Sequence, residues 1–293
     1  MGRVNGGDRA FALLDAWFAR SGWAPFDFQR EVWRAYAAGE SGLVHAATGT
    51  GKTYAAWLAP VAAWLAEHGA PAADAPIARP KRQALAPLRV LWITPLRALA
   101  ADTEQALRAP IEALGLPWNV ESRTGDTTQA TRARQRDRLP TALVTTPESL
   151  SLLLCRDDHA ALFADLECVV VDEWHELLST KRGVQVELAL ARLRALRPSL
   201  RTWGLSATLG NLDVAREVLL GLGPDGTPRA GRMVRGLVPK AIEVEALVPA
   251  EMERFPWAGH LNTKLLPEVI ARLEQARSAI VFTNTRSQCE IWF

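Results

Sequence analysis

Sulfur chemistry has little to work with in this sequence: 293 residues contain only three cysteines, Cys155, Cys168 and Cys289. They lie far apart and match no CxxC spacing, which excludes a disulfide framework or a cysteine metal site and points to a reduced, cytoplasmic setting. No apolar run approaches the roughly 18 residues needed to span a bilayer, so no membrane role is expected. The first residues, Met1 to Arg9, are polar, with no secretory hydrophobic segment behind them. An excess of one charge is missing too: 34 Lys+Arg against 32 Asp+Glu leave a net charge of +2. That balance does not announce a nucleic-acid binder, although a local basic groove can sit inside it. Most of the cations are arginines, and one of the few lysines, Lys52, stands where a point charge is chemically required.

What is present is the composition of an ordinary globular protein, 48% hydrophobic and 23% charged, long enough for one large domain or two modest ones. From Leu88 onward, short apolar runs alternate with longer amphipathic ones. Leu88–Ile93, Thr141–Thr145, Glu167–Val171 and Arg201–Leu205 read as buried strands, with helical patterns such as Leu96–Leu114 and Val184–Leu196 between them. Near-continuous apolar strands separated by helices predict an α/β fold with a parallel sheet covered on both faces. Upstream, Phe11–Arg20 and Gln29–Ala38 read as helices, broken by Gly22 and Pro25. The Ala- and Pro-rich stretch Gly69–Pro87 reads as a loop. A glycine- and proline-rich break at Leu222–Arg235 is either a hinge or a packed connector. Beyond it, the pattern predicts a strand at Ala241–Leu247, a helix at Leu265–Ala276 and a strand at Ala279–Thr283.

The sequence Ala46-Ala47-Thr48-Gly49-Thr50-Gly51-Lys52-Thr53 fits a phosphate-binding loop, with Ala46 at the usual first glycine. A strand-like run, Ser41–His45, precedes it and a helical pattern, Tyr54–His68, follows. Glycines let successive N–H groups turn toward a polyphosphate at the positive end of the helix. Lys52 would reach the β- and γ-phosphates, and the Thr53 hydroxyl would ligate Mg²⁺. The alternative is a glycine turn that merely caps a helix. Asp172-Glu173-Trp174-His175 follows the apolar run Val169–Val171; Asp172 suits a metal and Glu173 a general base, unless both are solvated loop carboxylates.

Two further clusters, Thr94-Pro95-Leu96-Arg97 and Thr146-Pro147-Glu148-Ser149, open on Thr-Pro before a helix. Capping alone explains them, and N–H groups exposed there also suit a nucleic-acid phosphate. Arg123-Thr124-Gly125-Asp126, followed by Arg132, Arg134, Arg136 and Arg138, is a run more typical of a solvated helix face than of a groove. Trp17, Trp33, Trp57 and Trp64 fall on apolar helix faces and read as core. The register carries more than any single motif: each proposed strand runs directly into a polar cluster, and ligands of open parallel sheets bind at the carboxyl ends of the strands.

As a set, the clusters resemble the motifs of superfamily 2 DExH-box helicases: ATGTGKT is similar to motif I, TPLRALA to motif Ia, RTGD to motif Ic, TPESL to motif Ib, DEWH to motif II and Ser206-Ala207-Thr208 to motif III. Phe28-Gln29 is similar to the adenine-reading Q motif, and Ala279–Arg286 to motif IV. The runs DEWHELLSTKRGVQVELALARLRAL and LSATLGN narrow the resemblance to the large helicase-related (Lhr) group and, within it, the bacterial ligase-associated branch. This resemblance implies a RecA-like P-loop domain over residues 1–235 and the beginning of a second RecA-like domain, truncated, over 236–293. It further implies ATP and Mg as cofactors, DNA-dependent ATP hydrolysis, 3′-to-5′ translocation and a role in DNA repair.

By the same resemblance, Gln29 reads adenine, Thr48, Gly49, Thr50, Gly51, Lys52 and Thr53 hold phosphates and Mg, and Asp172 and Glu173 bind metal and activate water. Ser206 and Thr208 couple nucleotide state to a second lobe, while Thr94, Arg97, Arg123, Thr124, Gly125 and Thr146 contact a nucleic-acid backbone. The partners implied are single-stranded DNA or a tailed DNA/RNA duplex, a DNA ligase and nuclease pathway, and a monomeric state. Motifs V and VI, with the family's arginine fingers, have no counterpart in these 293 residues. An arginine finger is worth about 10³–10⁵ in turnover, so a nucleotide- and DNA-binding module without significant ATPase is the alternative expectation.

Overall fold

The computed structural model describes residues 6–69, 85–236, 243–247 and 265–293. Its contacts cluster into two compact units, Met1–Val238 and Pro239–Phe293. The first is built on seven strands: β1 (Gly42–Ala46), β2 (Val90–Ile93), β3 (Val120–Arg123), β4 (Ala142–Thr145), β5 (Cys168–Val171), β6 (Arg201–Ser206) and β7 (Arg232–Gly236). They form one sheet in the order β3-β4-β2-β5-β6-β1-β7, and every pairing is parallel. This is the α/β architecture of a RecA-like domain.

Alternation along the strands builds the two cores. Val44, Val90, Trp92, Val144, Val170 and Leu205 face one side; Leu43, Leu91, Ile93, Leu143, Val169 and Val171 face the other. The first side is covered by α1 (Gly6–Arg20), α2 (Asp27–Ala37), α3 (Lys52–His68) and α4 (Arg97–Ala113). The second is covered by α6 (Pro147–Leu154), α8 (Trp174–Leu177), α9 (Lys181–Leu196) and α10 (Leu212–Leu220). A sheet buried on both faces explains why its central strands read as continuous apolar runs. Two shorter helices, α5 (Gln129–Asp137) and α7 (His159–Leu162), complete the crossovers after β3 and α6. The four tryptophans read as core behave differently: Trp33 and Trp57 are fully enclosed and Trp17 is buried, whereas Trp64 only packs against the core from its edge.

Several helix starts are set by local side chains. The hydroxyls of Thr146 and Thr180 accept from the N–H groups of Ser149 and Gly183 at the starts of α6 and α9. Pro147 occupies the first turn of α6, where its missing N–H costs nothing. The break at 222–235 is a packed connector: an antiparallel bridge joins Leu222 to Pro228, and β7 then pairs along β1 from Gly42↔Arg232 to Ala46↔Gly236. Most of Gly69–Pro87 lies outside the described residues.

In the second unit, Leu266–Gln275 (α11) and Arg286–Trp292 (α12) are helical. Of the two strands expected there, neither is formed among the described residues: Glu243–Leu247 and Ala279–Thr283 have no strand structure, and Ala241 and Ile242 lie outside the described residues. An apolar run becomes a strand only when a neighbour completes its hydrogen-bond ladder, and no described residue pairs with either segment. Among the described residues, no helix is long and apolar enough to cross a membrane.

Candidate functional site

The carboxyl ends of β1, β5 and β6 converge on one site. After β1 the chain turns through Gly49 and Gly51, both left-handed (φ 76° and 84°), and enters α3 at Lys52. The Thr50 hydroxyl donates to the Ala47 carbonyl at 2.6 Å and closes the loop. Lys52 is buried; its Nζ donates to the carbonyls of Ala46 and Ala47 at 2.7 and 3.1 Å. The ammonium is thus held at the loop's mouth by the backbone that surrounds a phosphate in such turns. Thr48 and Gly49 are exposed on the loop, and Thr53 is half-buried in the first turn of α3.

Gln29, on α2, is almost wholly buried and engaged at both ends. Its Oε1 accepts from the Phe26 N–H at 2.8 Å, and its Nε2 donates to the Gly51 carbonyl at 2.9 Å. It therefore fastens the segment before α2 to the phosphate loop, and one lone pair and one N–H remain for a ligand. A cavity of about 510 Å³ opens beside it, lined by Phe18, Trp23, Phe26, Gln29, Thr50 and Tyr54 among others. Trp23 and Phe26 stay exposed at its rim, which is unusual for such large apolar rings. Sequence reasoning missed Trp23, Phe26 and Tyr54, because aromatic residues near a helix break read equally well as core.

Asp172 and Glu173 sit at the end of β5. Asp172 Oδ2 accepts from the Trp92 indole at 3.2 Å, and its Oδ1 accepts from the Glu173 N–H at 2.9 Å. Burial, then the neighbouring Glu173 charge, push the Asp172 carboxyl up to about 6. Glu173 itself is left-handed (φ 44°), a conformation that strains a non-glycine residue. Its Oε2 is buried without a hydrogen bond and lies 3.4 Å from His175 Nδ1. His175 Nδ1 is also 3.4 Å from the hydroxyl of buried Ser206, so motifs II and III touch. Thr208 lies exposed beyond the end of β6. His45, beside Ser206 and Arg235 in the strand register, was not anticipated. Burial, followed by Arg235, Lys52 and His175, keeps its imidazole below the usual range.

A crowded carboxylate pair facing a buried ammonium fits a divalent cation. Magnesium keeps most of its waters and takes few protein ligands, so one hydroxyl (Thr53) and one carboxylate (Asp172) beside nucleotide phosphates form a sufficient set. Among the described residues, no three His, Cys, Asp or Glu side chains cluster as a self-contained metal site.

A second cavity, about 560 Å³, lies at the ends of β2, β3 and β4. Its lining includes Arg97, Arg123, Thr124, Gly125 and Thr146, five of the six residues assigned to nucleic-acid contact. Thr94 is the exception: it is fully buried, and its hydroxyl turns toward the Leu96 carbonyl at 3.4 Å. Arg132, Glu148 and Arg182 also line the cavity and were not among the residues assigned to nucleic-acid contact. The Arg123 guanidinium is disfavoured by burial, then by Arg132, Arg156 and Arg136, and its Nη1 is buried without a partner. Cations gathered this way, with carboxylates matching only some of them, form a seat for a polyanion. Arg97 meets Asp126 at 3.4 Å across the rim.

Comparison with known proteins follows this geometry. The family model for DEAD/DEAH box helicases matches residues 26–216. A Mycolicibacterium smegmatis protein named Lhr helicase/probable uracil glycosylase is 34% identical, over 98% of this chain and 19% of its own length. ATP-dependent helicase Lhr-Core protein 2 of Thermococcus barophilus is 32% identical, over 86% of this chain and 29% of its own. The chain thus spans between about a fifth and a third of the length of these curated relatives. The solved structure of Mycobacterium smegmatis helicase Lhr bound to ssDNA and AMP-PNP aligns with 99% of this chain and 36% of its own, at 30% identity and a TM-score of 0.73. The helicase MrfA bound to DNA and AMPPNP shares the fold, with a TM-score of 0.68 at 21% identity over 96% of this chain and 37% of its own.

Proposed function

Because the chain belongs to the DEAD/DEAH box helicase family, we propose that residues 1–235 are the ATP-binding lobe of an ATP-dependent translocase that moves 3′-to-5′ on single-stranded DNA. The observation that carries this reading is the contiguity of two sites on one sheet edge. A phosphate loop with an acidic pair lies at β1, β5 and β6, and an arginine-rich groove lies at β2, β3 and β4. In this reading Lys52 and the loop N–H groups hold the polyphosphate, and Trp23, Phe26 and Tyr54 stack the base beside Gln29. Mg²⁺ held by Thr53 and Asp172 would neutralise charge on the phosphates. Glu173, with a carboxylate oxygen free of hydrogen bonds, takes the proton of the attacking water. His175 and Ser206 carry the change in charge to β6. The groove holds the strand by its backbone, which suits movement along any sequence.

Residues 236–293 are proposed to begin a second lobe, and the 293 residues alone to bind nucleotide and DNA without substantial turnover, since arginines equivalent to the family's fingers are not among them. A DNA-repair role in the ligase-associated branch is the biological setting we favour, on the resemblance of the DEWH and LSATLGN segments.

ATP hydrolysis and binding of a fluorescent ATP analogue, measured with and without single-stranded DNA and with Lys52→Ala as control, test the proposal. Lys52-dependent binding with little turnover is expected. Strong DNA-stimulated turnover refutes the need for outside arginines, and failure to bind nucleotide refutes the ATP site.

A further inference from the structure

Arg182, in the first turn of α9, lies in the run that follows motif II and was assigned no contact of its own, yet it joins two of the motif clusters. Its Nε donates to Glu148 Oε1 at 2.6 Å and its Nη2 to Glu148 Oε2 at 3.2 Å, a two-pronged grip on one carboxylate. Its Nη1 donates to the Pro95 carbonyl. Pro95, Glu148 and Arg182 all line the groove, so one guanidinium ties the turn after β2 to the start of α6 from the start of α9.

The fork is itself held in place. The Thr180 hydroxyl accepts from the Gly183 N–H at 3.0 Å and donates to the Leu177 carbonyl at 2.6 Å. Gly183 leaves no room for a side chain, since a Cβ there would lie 2.1 Å from that same carbonyl oxygen. The segment leading from Asp172 to this point carries both of the left-handed non-glycine residues among the described residues, Glu173 and Ser179. Strain of this kind persists only where surrounding contacts fix the backbone.

Glu148 is the anomaly that gives these contacts meaning. A carboxylate in a groove built for phosphates repels the ligand unless its charge is cancelled. Burial, the largest single influence, works against its charge, yet the hydrogen bonds from Arg182, the Glu148 backbone and Thr146, together with the Arg182 charge, hold its carboxyl below the ordinary range.

Resting on the reading of this groove as a nucleic-acid site, we propose that Arg182 is a positioning residue: its fork clamps Pro95 and Glu148 together, fixes the spacing of the groove's walls, and links the groove to the acidic loop of the nucleotide site. The clamp requires both partners. Removing the negative charge of Glu148 therefore weakens binding to a polyanion, the opposite of what simple electrostatics predicts. The fork geometry matters too, because lysine offers a point charge where arginine offers two parallel donors.

The test is anisotropy of a labelled oligothymidylate with the 293-residue chain, over a series of salt concentrations, for wild type, Glu148→Gln, Arg182→Lys, Arg182→Ala and Arg123→Ala. For a pair this exposed, Glu148→Gln and Arg182→Lys are each expected to weaken binding about three- to tenfold. Folding of each variant is checked by its thermal transition, and the two conservative variants keep the test decisive if Arg182→Ala unfolds. Glu148→Gln binding as tightly as wild type or tighter overturns the clamp. So does Arg182→Lys behaving as wild type while Arg182→Ala lowers the salt slope by about 0.7, the signature of a direct phosphate contact. If Arg123→Ala weakens binding in either case, the groove stands and the clamp alone falls. If wild type binds no oligonucleotide, the groove reading fails and the clamp with it.

Discussion

Asp172→Asn is expected to stabilise the nucleotide-free chain at pH 8 while removing the carboxylate proposed to hold Mg²⁺. The Asp172 carboxyl ionises near pH 6 rather than at the ordinary 3.8, because burial and the adjacent Glu173 disfavour its charge. A folded-state value above the unfolded one means that the folded chain holds the proton more tightly. The resulting stabilisation is complete below about pH 4 and is lost as pH rises through 6. At about 1.4 kcal/mol per pH unit, the difference amounts to about 3 kcal/mol that wild type has lost by pH 8.

Asparagine escapes that loss but introduces another. The carboxylate accepts one hydrogen bond on each oxygen, from Trp92 and from the Glu173 N–H, whereas an amide has a single oxygen to offer. Leaving one donor unmatched costs about 1–2 kcal/mol. The variant should therefore exceed wild type by about 1–2 kcal/mol at pH 8 and be about equal to it at pH 5, where roughly half of the wild-type contribution survives. Urea unfolding at both pH values, without nucleotide or magnesium and followed by tryptophan fluorescence, measures this directly. Of the eleven tryptophans, only Trp257 and Trp292 lie in the second unit, so the signal reports the first. A variant less stable than wild type at pH 8, or a difference that does not change with pH, refutes the reasoning.

Three further outcomes are expected. Gly51→Ala forces an alanine to φ 84° and drives its Cβ to 2.7 Å from Gln29 Nε2; the backbone conformation alone costs about 1–2 kcal/mol, and denaturation together with nucleotide titration should show losses in both. Trp23→Ala removes an exposed ring from the proposed base cavity, and stacking worth about 1–3 kcal/mol predicts a loss of adenine-nucleotide affinity of at least fivefold in a fluorescence titration, beside a stability loss of about 1 kcal/mol from its ring contacts with Trp17, Phe18 and Tyr54. Arg123→Ala should lower the slope of log affinity for single-stranded DNA against log salt by about 0.7, the release from one phosphate; an unchanged slope would leave Arg123 without a phosphate partner.

Much of the fold could be read from the chain because the sheet is buried on both faces. Val90–Ile93, Ala142–Thr145 and Cys168–Val171 are wholly apolar or nearly so, and the second is followed by a helix with a Thr-Pro start. The edge strands escaped detection for the complementary reason. Val120–Arg123 reads VESR and Arg232–Gly236 reads RMVRG, and each has only one neighbour and a single buried side chain, Val120 or Val234. Polarity at an edge carries no period that separates strand from loop. The run Ala279–Thr283 fails in the opposite direction: its apolar pattern suits a strand, but a strand exists only through pairing, and pairing is not a local property.

The same limit governs the site. The turn after β1 could be read because glycine suits its positive φ angles, whereas nothing in the backbone requires the carboxylates after β5, where Glu173 is itself left-handed. Which side chains close the space between two motifs depends on strand order, and strand order is not written locally. Here β2 lies between β4 and β5, so the groove half of the sheet meets the nucleotide half at a single pairing. Trp92 sits on that boundary: in sequence it is one apolar residue in a core strand, in space its indole bonds the nucleotide-site Asp172, and the groove residue Pro95 follows three positions later. Arg182 closes the path from the other side, ten residues beyond Asp172 and hydrogen-bonded to Pro95. Two routes, one through β2 and one through α9, thus run from the acidic pair to one proline at the mouth of the groove. Asp172 and Pro95 are thus joined by two paths of direct contact, and both rest on side chains, Trp92 and Arg182, to which sequence reasoning gave no role.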